Sequence, residues 1–278
     1  MQNNLLTVII LTYNEEKNIE KCINSVKDVA KDIYVVDSYS TDKTVELANK
    51  LGAHVIQNKF INQAQQYKFA MQSIDIQTPW VMRLDADERL TEKSREEIVS
   101  LIVKYVEDDA ITGVMMRFEI SFMGKKLKHG GVYPFKKLIV YKHGCADIEN
   151  KAMDEHIYLT KGKYVEAKYD CEHEDFKDIF SWIEKHNKYS SREVQDYFNN
   201  NVGEDGIGKE ISKKQKQKYG LYYKLPLFVR AKLYYWYRKY IKMAWLDGKE
   251  GKIYAFLQAY WYRFIVDTKI FEKLKDKK

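Results

Sequence analysis

Two carboxylates spaced i and i+2 at the end of an apolar run are the first residues in this chain able to do chemistry. The stretch Trp80 to Leu90 reads WVMRLDADERL, and Trp80 to Leu84 has the apolar, strand-type composition of a buried strand after the breaker Pro79. It delivers Asp85, Ala86 and Asp87 to the junction of strand and loop. Such a pair makes a seat for a hard divalent cation, Mn2+ or Mg2+, which favours carboxylate, water and phosphate oxygens. The same residues could equally form a solvated acidic turn, since Asp-x-Asp is common by chance. Thr91 then offers an N-cap for the next helix, with Glu92, Glu96 and Glu97 near its start.

Two further polar clusters follow apolar runs in the same way. Leu5 to Leu11 (LLTVIIL) is a near-continuous run suited to a parallel strand buried on both faces, and it ends in Thr12-Tyr13-Asn14-Glu15. Ile33 to Val36 is a second strand, ending at Asp37 and followed by the cap-type residues Ser38 to Thr41. Helices are expected at about 18–26, 42–51 and 62–73, with a short strand at 53–56 between the last two. This alternation points to an α/β fold built on an open, mostly parallel sheet. Ligands of such sheets bind beyond the carboxyl ends of the strands, so the three clusters should line one crevice.

After Glu107 the alternation breaks. Strands are expected at 113–122 and 137–141, a turn at Gly124 to Lys126, and a helix at about 178–198. The segment 199–208 (NNNVGEDGIG) reads as a linker, because no strand feeds its glycines and no Gly-Lys-Ser/Thr follows. The expected organisation is a catalytic domain over 1–200 and a helical C-terminal region over 209–278.

Composition narrows the class. The chain has 278 residues, 45% of them hydrophobic, which is ample for a core. Its three cysteines, Cys22, Cys145 and Cys171, are odd in number and far apart, the usage of a reducing compartment. The start, MQNNLLTVII, is a poor signal peptide, and no stretch approaches the length of a membrane span, so a cytoplasmic location is expected. Net charge is +7 but unevenly spread. Residues 209–278 hold 19 Lys and Arg against 6 Asp and Glu, a net +13 that leaves −6 for the first 208. Their helix-length stretches 225–246 and 253–274 interleave Tyr and Trp with Lys and Arg, as interfacial helices do. An anionic membrane surface is the partner this implies; packing on the main domain with a basic outer face is the alternative.

LTVIILTYNEE, then VVDSYSTDKT, then RLDADE resembles, in order and spacing, the signature of family 2 glycosyltransferases with the GT-A (Rossmann-like) fold. KAMDEHI, KHNKYSSREV and LDGKEG extend the resemblance toward the branch that builds bacterial capsule, exopolysaccharide or lipopolysaccharide core. The resemblance implies inverting transfer of a sugar from a nucleotide-diphosphate donor, a UDP-sugar, to a saccharide or lipid-linked saccharide at the inner membrane face, with no nucleic acid as partner. It implies that Thr12, Tyr13, Asn14 and Glu15 hold the nucleoside, that Asp37 bonds the base, and that Arg83 approaches the diphosphate or sugar. Gln66 and Lys68 become minor donor contacts, and Ala86 lies on the donor side between the paired aspartates. Asp87 becomes a metal ligand with Asp85, and His156 approaches the metal or the diphosphate. Many relatives read Asp-Asp-Gly-Ser where this chain has Asp37-Ser38-Tyr39-Ser40, without the glycine.

Inverting transfer needs one base for the acceptor hydroxyl. By the resemblance that base is Glu155, or else its neighbour Asp154. The run Asp170-Cys171-Glu172-His173-Glu174 lacks the paired spacing of a zinc site, and no separate metal is expected there. A nucleotidyltransferase making a nucleotide sugar is the rival class. It usually carries a glycine-rich basic loop after its first strand, where this chain reads TYNEE.

Overall fold

The computed structural model describes residues 4–149, 155–199 and 222–276. They divide into two compact units: 1–118, 135–150 and 155–173 in the first, and 119–134, 151–154 and 174–278 in the second. The second unit thus takes in more of the chain than the basic region 209–278, and most of the stretch read as a linker lies outside the described residues.

The first unit is built on β1 (Leu6–Thr12), β2 (Asp32–Asp37), β3 (His54–Gln57) and β4 (Trp80–Asp85), which pair parallel in the order β3-β2-β1-β4. Every residue of β1 is buried. Val8 and Ile10 pack into one apolar cluster with Val35, Met82 and Leu84, while Ile9 and Leu11 pack into another with Val36 and Val81. Burial on both faces is why these strands read as unbroken apolar runs. Helix α1 (Ile19–Val26) supports one face with Ile19, Cys22, Ile23 and Val26, one helical stripe. Helix α2 (Thr44–Lys50) links β2 to β3, and α3 (Gln63–Ser73) is capped by Asn62, whose side chain accepts from the Gln65 N–H at 2.8 Å. Thr91 caps α4 (Glu92–Lys104) reciprocally with Ser94.

Antiparallel strands continue the sheet. β6 (Ile111–Phe122), β8 (Phe135–Lys142) and β11 (Lys163–His173) follow β4 in the order β4-β8-β6-β11, and the two-residue β5 (Glu88–Arg89) closes it against β11. Strand β7 (Lys125–Leu127) pairs with the end of β6, and β9 (Ala146–Ile148) pairs with β10 (Ile157–Leu159). The sequence reading contained neither β11 nor the β9–β10 pair. Only Ala167 and Cys171 of β11 are buried, so it lacks the strict alternation that marks a half-buried strand.

The second unit is mainly helical: α5 (Ile179–Asn199), α6 (Val229–Trp236), α7 (Gly248–Ala255) and α8 (Tyr262–Lys275). The expected helix over 225–246 is instead α6, a π-helical turn (Tyr237–Ile241) and, beyond a left-handed Met243, a short 3-10 segment (Ala244–Asp247). A second π turn (Phe256–Trp261) joins α7 to α8. Gly251 lies inside α7, where a Cβ would sit 2.5 Å from the Ala244 carbonyl oxygen. Among the described residues no helix is long and apolar enough to cross a membrane.

The unit is held by buried ion pairs. Arg230 and Asp267 are both fully buried, the guanidinium reaching Oδ1 through Nε at 2.7 Å and Nη2 at 2.5 Å, while Oδ2 accepts from the Phe228 N–H at 2.6 Å. Glu193 accepts from Tyr223, Tyr262 and Arg263. Burial would raise its pKa, but Arg263 and the two hydroxyls outweigh that and hold it below the usual range. Removing one partner of a buried pair strands the other charge, whereas removing both does not. Arg230→Met should therefore cost about 3–5 kcal/mol in urea unfolding, and Arg230→Met combined with Asp267→Leu should recover most of it. Equal destabilisation by the single and double variants would show that the pair itself is not the source.

Candidate active site

The parallel register puts the expected clusters side by side. Thr12 is opposite Asp37 on β2, and Leu11 is opposite Asp85 on β4, so the three strands end together. The loops beyond β1 and β2 are tied to each other. The Asn14 N–H donates to Ser40 Oγ at 2.8 Å, Asn14 Oδ1 accepts from the Thr41 N–H at 2.8 Å, and the Glu15 N–H donates to Thr44 Oγ1 at 2.8 Å. Asn14 and Tyr39 both adopt left-handed backbone, with φ of 53° and 61°. Tyr39 makes this turn without glycine. Tyr13 and Tyr39 both expose their rings beside these strand ends.

Asp37 is fully buried and accepts from the Ser40 N–H, the Ser40 hydroxyl and Gln57 Nε2, three of about four acceptor positions of a carboxylate. Gln66 ties the loops after β2 and β3: its Nε2 donates to Ser38 Oγ at 2.6 Å and to the Asn58 carbonyl at 3.1 Å. Lys68, half-buried on α3, makes no hydrogen bond or ion pair among the described residues.

Past β4 lies a cluster of four charges. Arg83 Nη2 meets Asp85 Oδ1 at 2.6 Å, and Lys137 Nζ on β8 meets Asp85 Oδ2 at 3.0 Å and also bonds Glu88. Glu88, buried, accepts from the Asp85 N–H at 3.1 Å. Burial would raise the Asp85 pKa; Arg83 and Lys137 outweigh it and hold the carboxylate ionised. For Arg83, burial works against the charge, and Asp85, Glu88 and then Glu155 restore it. The charge of Glu155 thus acts on the same guanidinium as Asp85, while Asp154 lies outside the described residues. The Nδ1 of His156 lies 3.3 Å from Glu149 Oε2.

The sequence reading missed two residues here. In sequence Lys137 is one residue of an expected strand, and His173 sits in a run that lacks the paired spacing of a zinc site. The pairing of β5 with β11 sets His173 opposite Glu88 and brings its Nε2 to 3.5 Å from Asp87 Oδ2. A carboxylate and an imidazole so placed fit a divalent cation, and the mixed oxygen–nitrogen set suits Mn2+ better than Mg2+, which prefers oxygen alone. Asp85, already claimed by two cations, is engaged differently from Asp87.

The sequence profile described as Glycosyl transferase family 2 matches residues 7–152. The chain belongs to that family. This family 2 chain is 39% identical over 103 residues to a glycosyltransferase of Rickettsia bellii, a match covering 37% of the chain and 34% of the relative. It is 32% identical over 110 residues to the SPbeta prophage-derived glycosyltransferase SunS of Bacillus subtilis, covering 38% of the chain and 26% of that protein. The matched stretch thus spans about a third or less of these curated relatives. Among solved structures, the mannosyltransferase PcManGT from Pyrobaculum calidifontis, in complex with GDP-Man and Mn2+, aligns over 98% of the chain and 89% of its own length, with a TM-score of 0.59 and 14% identity. That likeness is one of fold: a mostly parallel sheet flanked by helices, as in GT-A glycosyltransferases, followed by a C-terminal helical stretch.

Burial would lower the His173 pKa, but Asp87, by charge and hydrogen bond, lifts it from 6.5 to about 9. A raised histidine stabilises the fold fully below its unfolded pKa and ceases to do so as pH rises through the folded value. In EDTA, the stability gap between wild type and His173→Asn should be widest near pH 6 and close as pH passes about 9. A gap independent of pH in urea titrations would remove the Asp87–His173 pairing.

Proposed function

We propose that this chain is an inverting, metal-dependent glycosyltransferase that moves a hexosyl or N-acetylhexosaminyl group from a UDP-sugar to a core or lipid-linked saccharide. Its setting is bacterial surface polysaccharide synthesis, capsule or lipopolysaccharide, at the inner face of the cell membrane. The observation that carries the reading is the common ending of β1, β2 and β4, which sets Thr12, Asp37 and Asp85 in adjacent register with Asp87 and His173 just beyond. Thr12, Asn14 and Asp37, with Tyr13 or Tyr39 against the base, hold the nucleoside. Arg83 and Lys137 fix Asp85 and lend positive charge to the donor's diphosphate. Asp87 and His173 would hold Mn2+ or Mg2+. When bound, the cation supplies charge stabilisation for the leaving diphosphate. Glu155 takes the proton of the acceptor hydroxyl, and its support is the action of its charge on Arg83.

Labelled UDP-glucose, UDP-galactose and their N-acetyl forms test this directly. Wild type should release UDP slowly with Mn2+, and Asp87→Ala should abolish release while the fold persists. Glu155→Gln keeps the shape but cannot take a proton, so turnover should fall by about 10²-fold or more with donor affinity retained. UTP-dependent release of pyrophosphate in place of UDP would replace this reading with a nucleotidyltransferase.

The second unit supports the membrane part of the proposal. Val229, Leu233, Trp236 and Tyr240 recur at spacings of four, three and four, and all are exposed, as are Met243, Trp245 and Leu246. Lys232, Lys242 and Lys249 are exposed among them. An outward apolar stripe edged with lysine suits the headgroup–acyl boundary, where each cation adds about 1 kcal/mol near an anionic leaflet. The intact protein should sediment with anionic liposomes at low salt and be partly released near 1 M, where the screening length falls to about 3 Å. Leu233→Asp with Trp236→Asp should abolish sedimentation without unfolding; unchanged sedimentation would return this face to another use.

A further inference from the structure

The motif Leu246 to Gly251 (LDGKEG) has no part in the site above, and neither has His129. The second unit joins them. Asp247, buried, accepts at Oδ2 from the Lys128 and His129 N–H groups at 3.0 and 2.7 Å, and its Oδ1 lies 2.7 Å from His129 Nδ1. The Gly130 N–H donates to the Lys242 carbonyl at 2.7 Å. The loop 128–131 is thereby fastened over the π-helical turn Tyr237–Ile241, a kind of irregularity found often at functional sites.

Under that loop lies Arg238. Its side chain is buried, its Nη1 donates to the Tyr234 hydroxyl at 3.1 Å, and its guanidinium rests 5.6 Å from the centre of the Tyr234 ring. Nε and Nη2, the two nitrogens of the opposite edge, are buried with no hydrogen-bond partner among the described residues. No carboxylate among those residues pairs with this arginine; Asp247 is engaged by the loop and Asp175 by Lys185. Arg230, eight positions earlier, turns the same edge to Asp267, with Nε donating to Oδ1 at 2.7 Å and Nη2 ion-paired to it at 2.5 Å. A buried cation whose donor fork faces nothing is costly. The fork matches two oxygens of a phosphate or carboxylate group. Gly130 packs closely beside it: at φ +73 it carries no Cβ, and one built there would come within 4.0 Å of Nη2 and 3.0 Å of Ala244 Cβ.

We propose that Arg238 is the centre of an oxyanion site in the second unit, taking a phosphate group on its Nε–Nη2 edge while Tyr234 holds the other side of the guanidinium. Both nitrogens are closed off from solvent, so uptake requires the surrounding chain to open. The net +13 of residues 209–278 favours a multiply charged group over a lone carboxylate. A free phosphate and a lipid phosphate headgroup present the same chemistry to this fork.

The inference stands on the second unit alone, and its test uses neither metal nor sugar donor, so it succeeds or fails separately from the transferase reading. Thermal unfolding of the intact protein in EDTA is followed with inorganic phosphate, with pyrophosphate, and with phosphatidic-acid or phosphatidylcholine vesicles. Pyrophosphate should raise the melting temperature of wild type. Arg238→Lys keeps the charge but loses the fork, and should bind at least about tenfold more weakly. If the free anions do nothing but phosphatidic-acid binding falls with Arg238→Lys, the source is the lipid headgroup. Arg238→Met should be the more stable form without anion, and pyrophosphate should narrow that gap. Equal responses of wild type and Arg238→Lys to every probe, or a gap between wild type and Arg238→Met that every probe leaves unchanged, would overturn the site.

Discussion

The candidate site depends on the balance of four buried or half-buried charges at the end of β4. Arg83 and Lys137 bring two positive charges, Asp85 and Glu88 two negative, and the hydrogen bonds run in a ring that includes the Asp85 N–H. Buried charges are tolerable only when paired and hydrogen-bonded, and here each is. Because Glu88 also lies on β5, the ring fixes where that short strand meets β11, and with it the place of His173. The geometry around Asp87 is thus inherited from an ionic cluster that need not touch a substrate.

How much of this could be read beforehand follows from the physics of each element. β1, β2 and β4 declared themselves because burial on both faces demands unbroken apolar sequence, and their ends located Thr12, Asp37 and Asp85. Helix caps at Asn62 and Thr91 were legible because capping is local chemistry. His173 was not legible. Its neighbour Glu172 meets Arg89 across 83 residues of chain, and no local pattern encodes a pairing so distant. Lys137 failed for another reason: a lysine on a strand usually marks a solvent face, whereas this one turns toward two carboxylates. The long helix expected over 225–246 was interrupted because composition alone does not announce a left-handed residue such as Met243.

The loop after β2 shows the converse, a departure from pattern that the structure absorbs. Tyr39 holds left-handed backbone, which costs a residue with a side chain about 1–2 kcal/mol. Ser40 returns some of this by giving both its N–H and its hydroxyl to Asp37 while accepting from the Asn14 N–H. One serine therefore closes the turn and fastens it to the neighbouring loop.

The exposed stripe on α6 has a consequence for the molecule away from any bilayer. Trp236, Tyr240, Trp245 and their neighbours present apolar surface that water disfavours, and in free solution another copy of the same surface is the nearest available cover. Association measured without lipid would then report how each molecule shields this face, growing with concentration and yielding to mild detergent. It would be a property of the solvent chosen, distinct from any assembly that catalysis requires.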